Sequence, residues 1–294
     1  MSGGTDARPL DPAWLRCHPL PDHPEGTDKN SRGRVMLVGG STLVPGGLIL
    51  TATAAFRAGA GKVQVALPEP LAIPTGIAVP EAGVLALPAD EGGEIADAAP
   101  LASKIGDCGC LVLGPAMASA DAGGRVMDAL LPAAGSGPVV MDAACIEAVA
   151  SRLDAVAALS GGAVLTPHAG EMARLTGLDA DEIEARRAEV GVEWAARLRA
   201  VIAIKGSTTL IASPDGEVAV YAGGGVGLAT GGSGDVLAGL IAGLVARGLP
   251  GWEAACWGVW LHGEAGRRLA ERLGPMGFLA RELAAEVPSL MRGV

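Results

Sequence analysis

Short apolar runs closed by glycine, proline or a polar residue recur along most of this chain, and longer periodic stretches separate them. RVMLVGG from Arg34, KVQVALPE from Lys62, CLVLG from Cys110, PVVMDA from Pro138, AVLTPH from Ala163 and AVIAIKG from Ala200 each carry a brief apolar core ahead of a turn. Runs this short and this apolar predict strands buried on both faces. Helical spacing separates them in LILTATAAFRAGAG from Leu48, GRVMDALLPAA from Gly124, AGEMARLTG from Ala169 and one long stretch, DADEIEARRAEVGVEWAARLRA, from Asp179. The proline-rich stretch between KVQVALPE and CLVLG reads as loop. TTLIASPDGEVAVY, from Thr208, predicts a hairpin turning at Ser213-Pro214-Asp215-Gly216, an antiparallel pair at the edge of the sheet. Three more helices are expected over 235–247, 252–273 and 278–291. Strands that alternate with helices predict an α/β fold: a mainly parallel central sheet flanked by helices on both faces.

Residues 1–30 show no period of either kind and are rich in Pro, Asp and His, which predicts an extended N-terminal arm ordered by docking. With no internal repeat and no linker-like break, residues 31–294 are expected to form a single domain.

Composition narrows the reading. Half of the residues are hydrophobic but only 3% are aromatic, so the core must be built from Ala, Val, Leu and Ile. A net charge of −10 argues against a nucleic-acid footprint, which needs a basic face. The five cysteines are odd in number and irregularly spaced, and Cys108 and Cys110 form C-x-C rather than C-x-x-C. They read as reduced structural thiols of a cytoplasmic protein. No secretory h-region follows the N-terminus, and the longest apolar runs are broken by glycine well short of the roughly 20 residues of a membrane span. His18 and His23 lack Cys or carboxylate partners at ligand spacing, so no metal site is expected there.

In a parallel α/β sheet, ligands bind outside the carboxyl ends of the strands. Topology alone therefore gathers Gly39-Gly40-Ser41, Gly114-Pro115, Asp142, Thr166-Pro167-His168 and Lys205-Gly206 along one edge. The segment GLATGGSGDVLAGLIAGL, from Gly227, adds a glycine-rich loop that opens an apolar helix. Such a helix start presents free N–H groups and the positive end of the helix dipole, a ready anion cradle. Within it, Gly232, Ser233 and Gly234 are candidate phosphate contacts. Asp235 reads as a general base beside the cradle, the alternative being a helix-capping aspartate.

KGSTT, from Lys205 to Thr209, reads either as a phosphate-binding turn or as a polar turn with a solvated lysine. His168, just before a helix, is a substrate contact or a helix-start polar group; Glu171 reads more simply as ordinary first-turn acid. Gly46 and Gly47 open another helix after Pro45, for close helix–sheet packing or for approach of a flat ligand. Asp142 orients a metal or phosphate, or caps the helix that follows.

Taken in order, GRVMLVGGS, RAGAGKVQVALPE, LVLGPA, VVMDA, LTPHAGEMARL, IKGSTTLIA and GLATGGSGDVLAGLIAGL resemble the ADP/ATP-dependent NAD(P)H-hydrate dehydratase family, within the ribokinase-like superfamily. The likeness runs from about Arg32 to near the C-terminus. The pair TPHxGEMARL and ATGGSGDVLAGLIA is specific, because other ribokinase-like kinases share the GSGD logic without that histidine motif.

The resemblance implies a ribokinase-like three-layer sandwich. It implies a reaction in which ADP (or ATP) phosphorylates the C6 hydroxyl of hydrated NADH or NADPH, and elimination restores NAD(P)H with AMP and phosphate. It implies that Gly47, Gly114, His168 and Asp235 contact the hydrate, and that Lys205, Gly206, Ser207, Thr208, Thr209, Gly232, Ser233 and Gly234 contact the nucleotide. Mg2+ would bridge the phosphates with few protein ligands, and no protein metal site is expected. A homotetramer follows from the same likeness. A separate NAD(P)H-hydrate epimerase is expected in the pathway, since about 30 leading residues give no room for one. The chain departs from the family's usual pattern at Ala116 (a Gly of GPG), Ala144 (an acid of DADAL), Ala169 (the second Pro of PHPGE) and Gly225 (an Asn). Two alternatives remain: a ribokinase-like small-molecule kinase acting on an alcohol, or a nucleotide-binding protein that has lost activity.

Overall fold

A computed structural model describes residues 7–294. Its ten strands are β1 (Arg8–Pro9), β2 (Arg34–Val38), β3 (Lys62–Pro68), β4 (Gly83–Leu87), β5 (Cys110–Leu113), β6 (Val139–Met141), β7 (Ala163–Leu165), β8 (Ala200–Ile204), β9 (Thr208–Ala212) and β10 (Val218–Ala222). The helices are α1 (Pro12–Cys17), α2 (Gly47–Arg57), α3 (Ala72–Ala78), α4 (Ala102–Ile105), α5 (Ala120–Leu130), α6 (Ala144–Val149), α7 (Leu153–Ala157), α8 (Ala169–Thr176), α9 (Ala180–Ala185), α10 (Arg187–Leu198), α11 (Ser233–Ala246), α12 (Gly251–Leu273) and α13 (Ala280–Arg292).

The strands form one sheet in the order β1-β10-β9-β8-β7-β6-β5-β2-β3-β4. Every neighbouring pair is parallel except those of β9 with β8 and with β10. Alternate residues of each strand enter two separate cores. Val35, Leu37, Val63, Val112 and Val164 pack with α2, α11, α12 and α13 on one face. Met36, Val38, Leu111, Met141 and Leu165 pack with α5, α6, α8 and α10 on the other. This is the expected sandwich, helices on both faces of a mainly parallel sheet.

With so few aromatics, close packing rests on small residues. A Cβ on Gly239 of α11 would run into the Thr51 carbonyl oxygen of α2, and one on Gly243 would stand 2.5 Å from the Ala55 carbonyl oxygen. The two helices therefore approach backbone to backbone. That contact draws the glycine-rich start of α11 over the carboxyl ends of the strands.

Four expectations are modified. The segment read as an extended arm contains α1, with Asp11 capping the Trp14 N–H (2.9 Å) and Pro12 opening the helix. Its docking is as expected: β1 extends the sheet beside β10, and Trp257 Nε1 donates to the His18 carbonyl (2.7 Å). Residues 1–6 of that arm lie outside the described residues. The hairpin forms at its expected turn, yet β1, not β10, is the edge. The proline-rich stretch holds α3 and β4; β4 is an edge strand, half-exposed although residues 84–87 are an apolar run. The long helix from Asp179 breaks at Arg186 (φ −127°, ψ 29°), which pairs with Glu182 and Glu189 on either side of the break. Among the described residues no helix is long and apolar enough to cross a membrane.

Candidate active site

The chain leaves β2 toward β3 and leaves β5 in the opposite direction, toward β6, so the gap between the β2 and β5 loops is the topological switch point of the sheet. The two loops touch at its floor. Gly40 N–H donates to the Pro115 carbonyl (2.9 Å), and a Cβ on Gly39 would collide with that same oxygen. The N-terminus of α11 closes the gap from above. Gly232 (φ 86°) turns the chain into the helix, a conformation that favours glycine.

Asp235, in the first turn of α11, does not cap it: the N-cap is Gly232, and no side chain caps the helix. Its carboxylate instead lies in the gap beside Gly47 and Ala116, 3.4 Å from the place a Cβ on Gly47 would occupy. Burial and the neighbouring negative charge of Asp142 push Asp235 up to about 7, against the opposing pull of Lys205 and the nearby Ala116 backbone. A carboxyl poised there exchanges its proton near neutrality, as a general base should.

Lys205 ends β8 and sits between two acids, with Nζ 3.1 Å from Asp142 Oδ1 and 3.6 Å from Glu171 Oε2. Burial opposes its charge, but Asp142, Glu171 and Asp235 outweigh burial and hold the ammonium above its usual value. The solvated-lysine reading is therefore set aside. Asp142 is not a cap either: Ala143 occupies that position, and Asp142 Oδ1 takes the Thr166 hydroxyl (2.7 Å) together with Lys205. Glu171 is more than first-turn acid. It accepts the His168 N–H (2.8 Å) while His168 Nδ1 accepts the Glu171 N–H (3.2 Å), a capping box that fixes both side chains beside Lys205. His168 is thus a cap whose exposed ring also reaches the cavity beside it.

That cavity measures about 720 Å³ and runs along the start of α11. Val226, Leu228, Leu237 and Val259 give it an apolar wall, while Lys205, Ser207, Thr209 and Ser233 give it polar groups. Of the residues singled out in the sequence, His168, Lys205, Gly206, Ser207, Thr209, Ser233 and Gly234 line it. Gly47, Gly232 and Asp235 meet on the other side of the helix start, where a Cβ on Gly232 would stand 3.9 Å from Asp235 Oδ2. Gly234 joins the two halves: a Cβ there would be 3.5 Å from Lys205 Nζ and 3.8 Å from Asp142 Oδ2. Thr208 is paired with Ala222 in the hairpin, and Gly114 (φ 103°) packs against the Asp142 backbone and Cys145; neither lines the cavity. The Ser233 N–H is donated to the Thr230 carbonyl (3.2 Å), so the Gly234 and Asp235 amides, which have no acceptor one turn back within the helix, are the cradle's donors.

Two participants, His262 and Tyr221, escaped the sequence reading, and Ala116 entered it only as a departure from a motif. His262, within α12, puts Nε2 2.9 Å from Ser233 Oγ and 3.0 Å from the Ser233 carbonyl oxygen. Its signal was a lone imidazole in an otherwise apolar helical stripe. Tyr221 donates to Glu264 Oε1 (3.0 Å) at the cavity edge. Ala116 adopts φ 57°, a left-handed conformation that suits the glycine usual in GPG. Among the other departures, Ala144 is buried in the apolar α5–α6 contact, Ala169 opens α8, and Gly225 (φ 76°) lies in an open loop where a Cβ would meet nothing.

Mg2+ is bound through one or two carboxylates plus substrate phosphates rather than in an all-protein cage. The donor set here, two aspartates around a lysine at a helix N-terminus, fits a metal that arrives as part of a magnesium–nucleotide substrate.

A family model described as NAD(P)H-hydrate dehydratase matches residues 35–289. The chain is 44% identical over 289 residues to the ADP-dependent (S)-NAD(P)H-hydrate dehydratase of Xanthomonas campestris pv. campestris, covering 98% of this chain and 97% of that one. It is similar to the crystal structure of the ADP/ATP-dependent NAD(P)H-hydrate dehydratase of Bacillus subtilis co-crystallized with ATP/Mg2+, at a TM-score of 0.82 and 29% identity, covering 99% of each chain. Thermotoga maritima ribokinase shares the fold alone, at a TM-score of 0.55 and 12% identity over 87% of this chain and 99% of that one.

Proposed function

This chain belongs to the NAD(P)H-hydrate dehydratase family, and from that premise we propose that it repairs (S)-NADHX and (S)-NADPHX with ADP as phosphoryl donor. The observation that carries the reading is Asp235, poised near 7 at the N-terminus of α11 and within the field of a buried lysine.

Hydroxide leaves an sp3 carbon poorly, whereas a phosphate ester leaves well. Asp235 accepts the proton of the C6 hydroxyl as its oxygen attacks the terminal phosphorus of ADP, and AMP departs. The ring nitrogen then expels phosphate, and loss of a proton restores the reduced nicotinamide. The Gly234 and Asp235 amides and Lys205 face the charge on the phosphoryl group in flight. Gly206, Ser207 and Thr209 contribute the nucleotide side, with Thr208 anchoring their turn in the hairpin and Gly232 and Ser233 shaping the helix start. Gly47, His168 and, through the loop it begins, Gly114 form the hydrate side. Mg2+ carried in by the nucleotide would face Asp142 and Asp235 around Lys205 and would offset phosphate charge there.

The reading extends to a homotetramer in the cytoplasm, with a separate NAD(P)H-hydrate epimerase supplying the S epimer. The cytoplasmic part of it is supported by five cysteines that are all free thiols.

The test is to incubate the protein with NADHX and with NADPHX, giving ADP or ATP in parallel, and to follow the absorbance of reduced nicotinamide. Recovery with ADP, accompanied by stoichiometric AMP and phosphate, is the expected result. No recovery with either nucleotide overturns the reading, and a stable phosphorylated alcohol as product would point to a superfamily kinase instead.

A further inference from the structure

Arg187, the first residue of α10, brings a charge to the nucleotide end of the sheet that nothing above uses. Its side chain is 14% exposed, and its Nε is buried with no hydrogen-bond partner. The acid paired with it, the half-exposed Glu184, stands 3.6 Å from Nη1. A buried donor left in that state calls for an explanation. Nη2 donates at 2.7 Å to the carbonyl of Ile204, the residue that ends β8 just before Lys205. We propose that Arg187 is a positioning residue for ADP, holding the turn of Lys205 to Thr209 in its binding shape from outside the cavity.

The inference rests on the reading of that turn as the nucleotide side, and three observations carry it. The first is how Arg187 arrives there. Only Arg199 separates the end of α10 from the start of β8, and α10 packs on β8 and β9, so the helix lies back along the strand and its first residue reaches the strand's carboxyl end. At the break, Arg186 turns outward to Glu182 and Glu189, and Arg187 turns inward to β8.

The second observation is the fit to Gly206. A Cβ on Gly206 would stand 2.9 Å from Nη2 and 3.0 Å from Nη1 of Arg187, so the guanidinium fills the place of a side chain there. Gly206 is not among the glycines of positive φ, so close approach, not backbone conformation, is what calls for a glycine. Gly206 lines the cavity and Arg187 does not; one glycine separates the charge from the cavity.

The third observation is where the turn is otherwise held. At one end the Lys205 N–H donates to the Pro167 carbonyl (2.7 Å) and Lys205 Nζ to Asp142. At the other, Thr208 pairs with Ala222 in the hairpin. Arg187 bears on the stretch between. Without the guanidinium, the Ile204 carbonyl loses its donor and the turn slackens at Gly206, so ADP must order it on binding. Gly47 and His168, on the hydrate side, stand at the starts of α2 and α8, to neither of which Arg187 is bonded, so the effect falls on the nucleotide alone.

The test is calorimetric titration with ADP in excess Mg2+, together with KM for ADP and for the hydrate. The variants are Arg187→Met, Arg187→Lys, Gly206→Ala and the R187M/G206A double, with a melting curve for each. R187M keeps the apolar stem and loses the charge and the donors, so ADP affinity falls about tenfold and KM for ADP rises with it, while KM for the hydrate holds. R187K restores a charge and a donor for the Ile204 carbonyl without the flat plane, so it falls between the parent and R187M. G206A drives the guanidinium aside, so its loss overlaps with that of R187M and the double variant loses less than the product of the two. Where R187M fails to fold, Arg187→Gln takes its place. An R187M that binds ADP as the parent does, a KM that rises equally for both substrates, or losses that multiply in the double variant overturn the inference alone. A parent that binds no ADP overturns the nucleotide reading of the turn, and this inference with it.

Discussion

Lys205 Nζ donates to Asp142 Oδ1 across 3.1 Å, directly under the first turn of α11. That bond neutralises a buried acid and aims the remaining charge of the lysine at the nucleotide end of the cavity. Replacing Lys205 with Met leaves Asp142 and Glu171 without their cation. The protein should lose about 3 kcal/mol, as when one partner of a buried pair is removed. Lys205 also pulls the Asp235 proton off, so the acid limb of the pH–rate profile should move upward in K205M. Activity should fall by about 10²-fold or more, with the larger share in KM for ADP. Denaturation curves and a full kinetic profile against pH check all three; an unchanged acid limb would separate Lys205 from the base.

Asp235→Asn removes the proton acceptor and keeps the shape. Repair should fall by roughly 10²–10⁴-fold while ADP still binds, measured by calorimetry. The same variant reads out the raised pKa through stability. Between the ordinary aspartate value of 3.8 and about 7, the native state holds a proton that the unfolded chain has released. Stability therefore declines as pH rises through that window, and above it the native state carries a full unfavourable charge. Asn carries no such burden, so the melting temperature gained by D235N should be larger at pH 8 than at pH 5.

The central strands were legible because each is a short apolar run stopped by glycine, proline or a polar residue, and the edge of the sheet that carries the site followed from topology. Asp235, Lys205 and the glycine loop stood out because small residues ahead of an apolar helix have few other uses. What the sequence concealed was mutual geometry. Asp142 and Asp235 each left a helix-cap alternative open, because local spacing does not reveal that Thr166 and Lys205, from neighbouring strands, claim Asp142, or that Asp235 turns toward Gly47 across the switch point. The apolar run of β4 at residues 84–87 is set among prolines that signal loop, and the kink at Arg186 is invisible to a periodic pattern that continues across it.

Gly47 and Ala116 face each other across the switch point so closely that a Cβ on Gly47 would strike the Ala116 Cβ. Gly47→Ala alone should cost about 1–3 kcal/mol and displace the Ala116 amide, with a loss of activity. Ala116→Gly alone relieves the left-handed alanine at the cost of a freer unfolded chain, and should change stability by less than about 1 kcal/mol. In the double variant the Cβ collision disappears. The two effects should then couple favourably by about 1 kcal/mol in a double-mutant cycle. Strict additivity would mean that the loop, and not the methyl groups, sets the spacing.

His262 holds the start of α11 from beneath. A carbonyl can only accept, so the 3.0 Å contact with Ser233 O requires a proton on Nε2. Burial pushes the imidazole down to about 4, against the pull of the Ser233 bond, so the ring is neutral at physiological pH. Between about 4 and 6.5 the unfolded chain binds a proton that the folded protein refuses. The stability due to this histidine is thus complete above 6.5 and is lost as pH falls toward 4. Asp235 drives stability the other way across much of the same range, so the parent's own curve should be flatter than either contribution. His262→Gln, which keeps a donor for the Ser233 carbonyl, should remove the acid-side loss and let the Asp235 slope appear unmasked. His262→Leu should remove it too, but it also frees the helix start that lines the cavity with Lys205 and Thr209. KM for ADP should then rise about tenfold, the cost of one such hydrogen bond, with little change in KM for the hydrate. Chemical denaturation from pH 4.5 to 8 and steady-state kinetics on both substrates check the pair. An H262L enzyme with parental KM for ADP would mean that the turn closed by the Ser233 N–H and the Thr230 carbonyl, not the histidine, keeps the cradle in place.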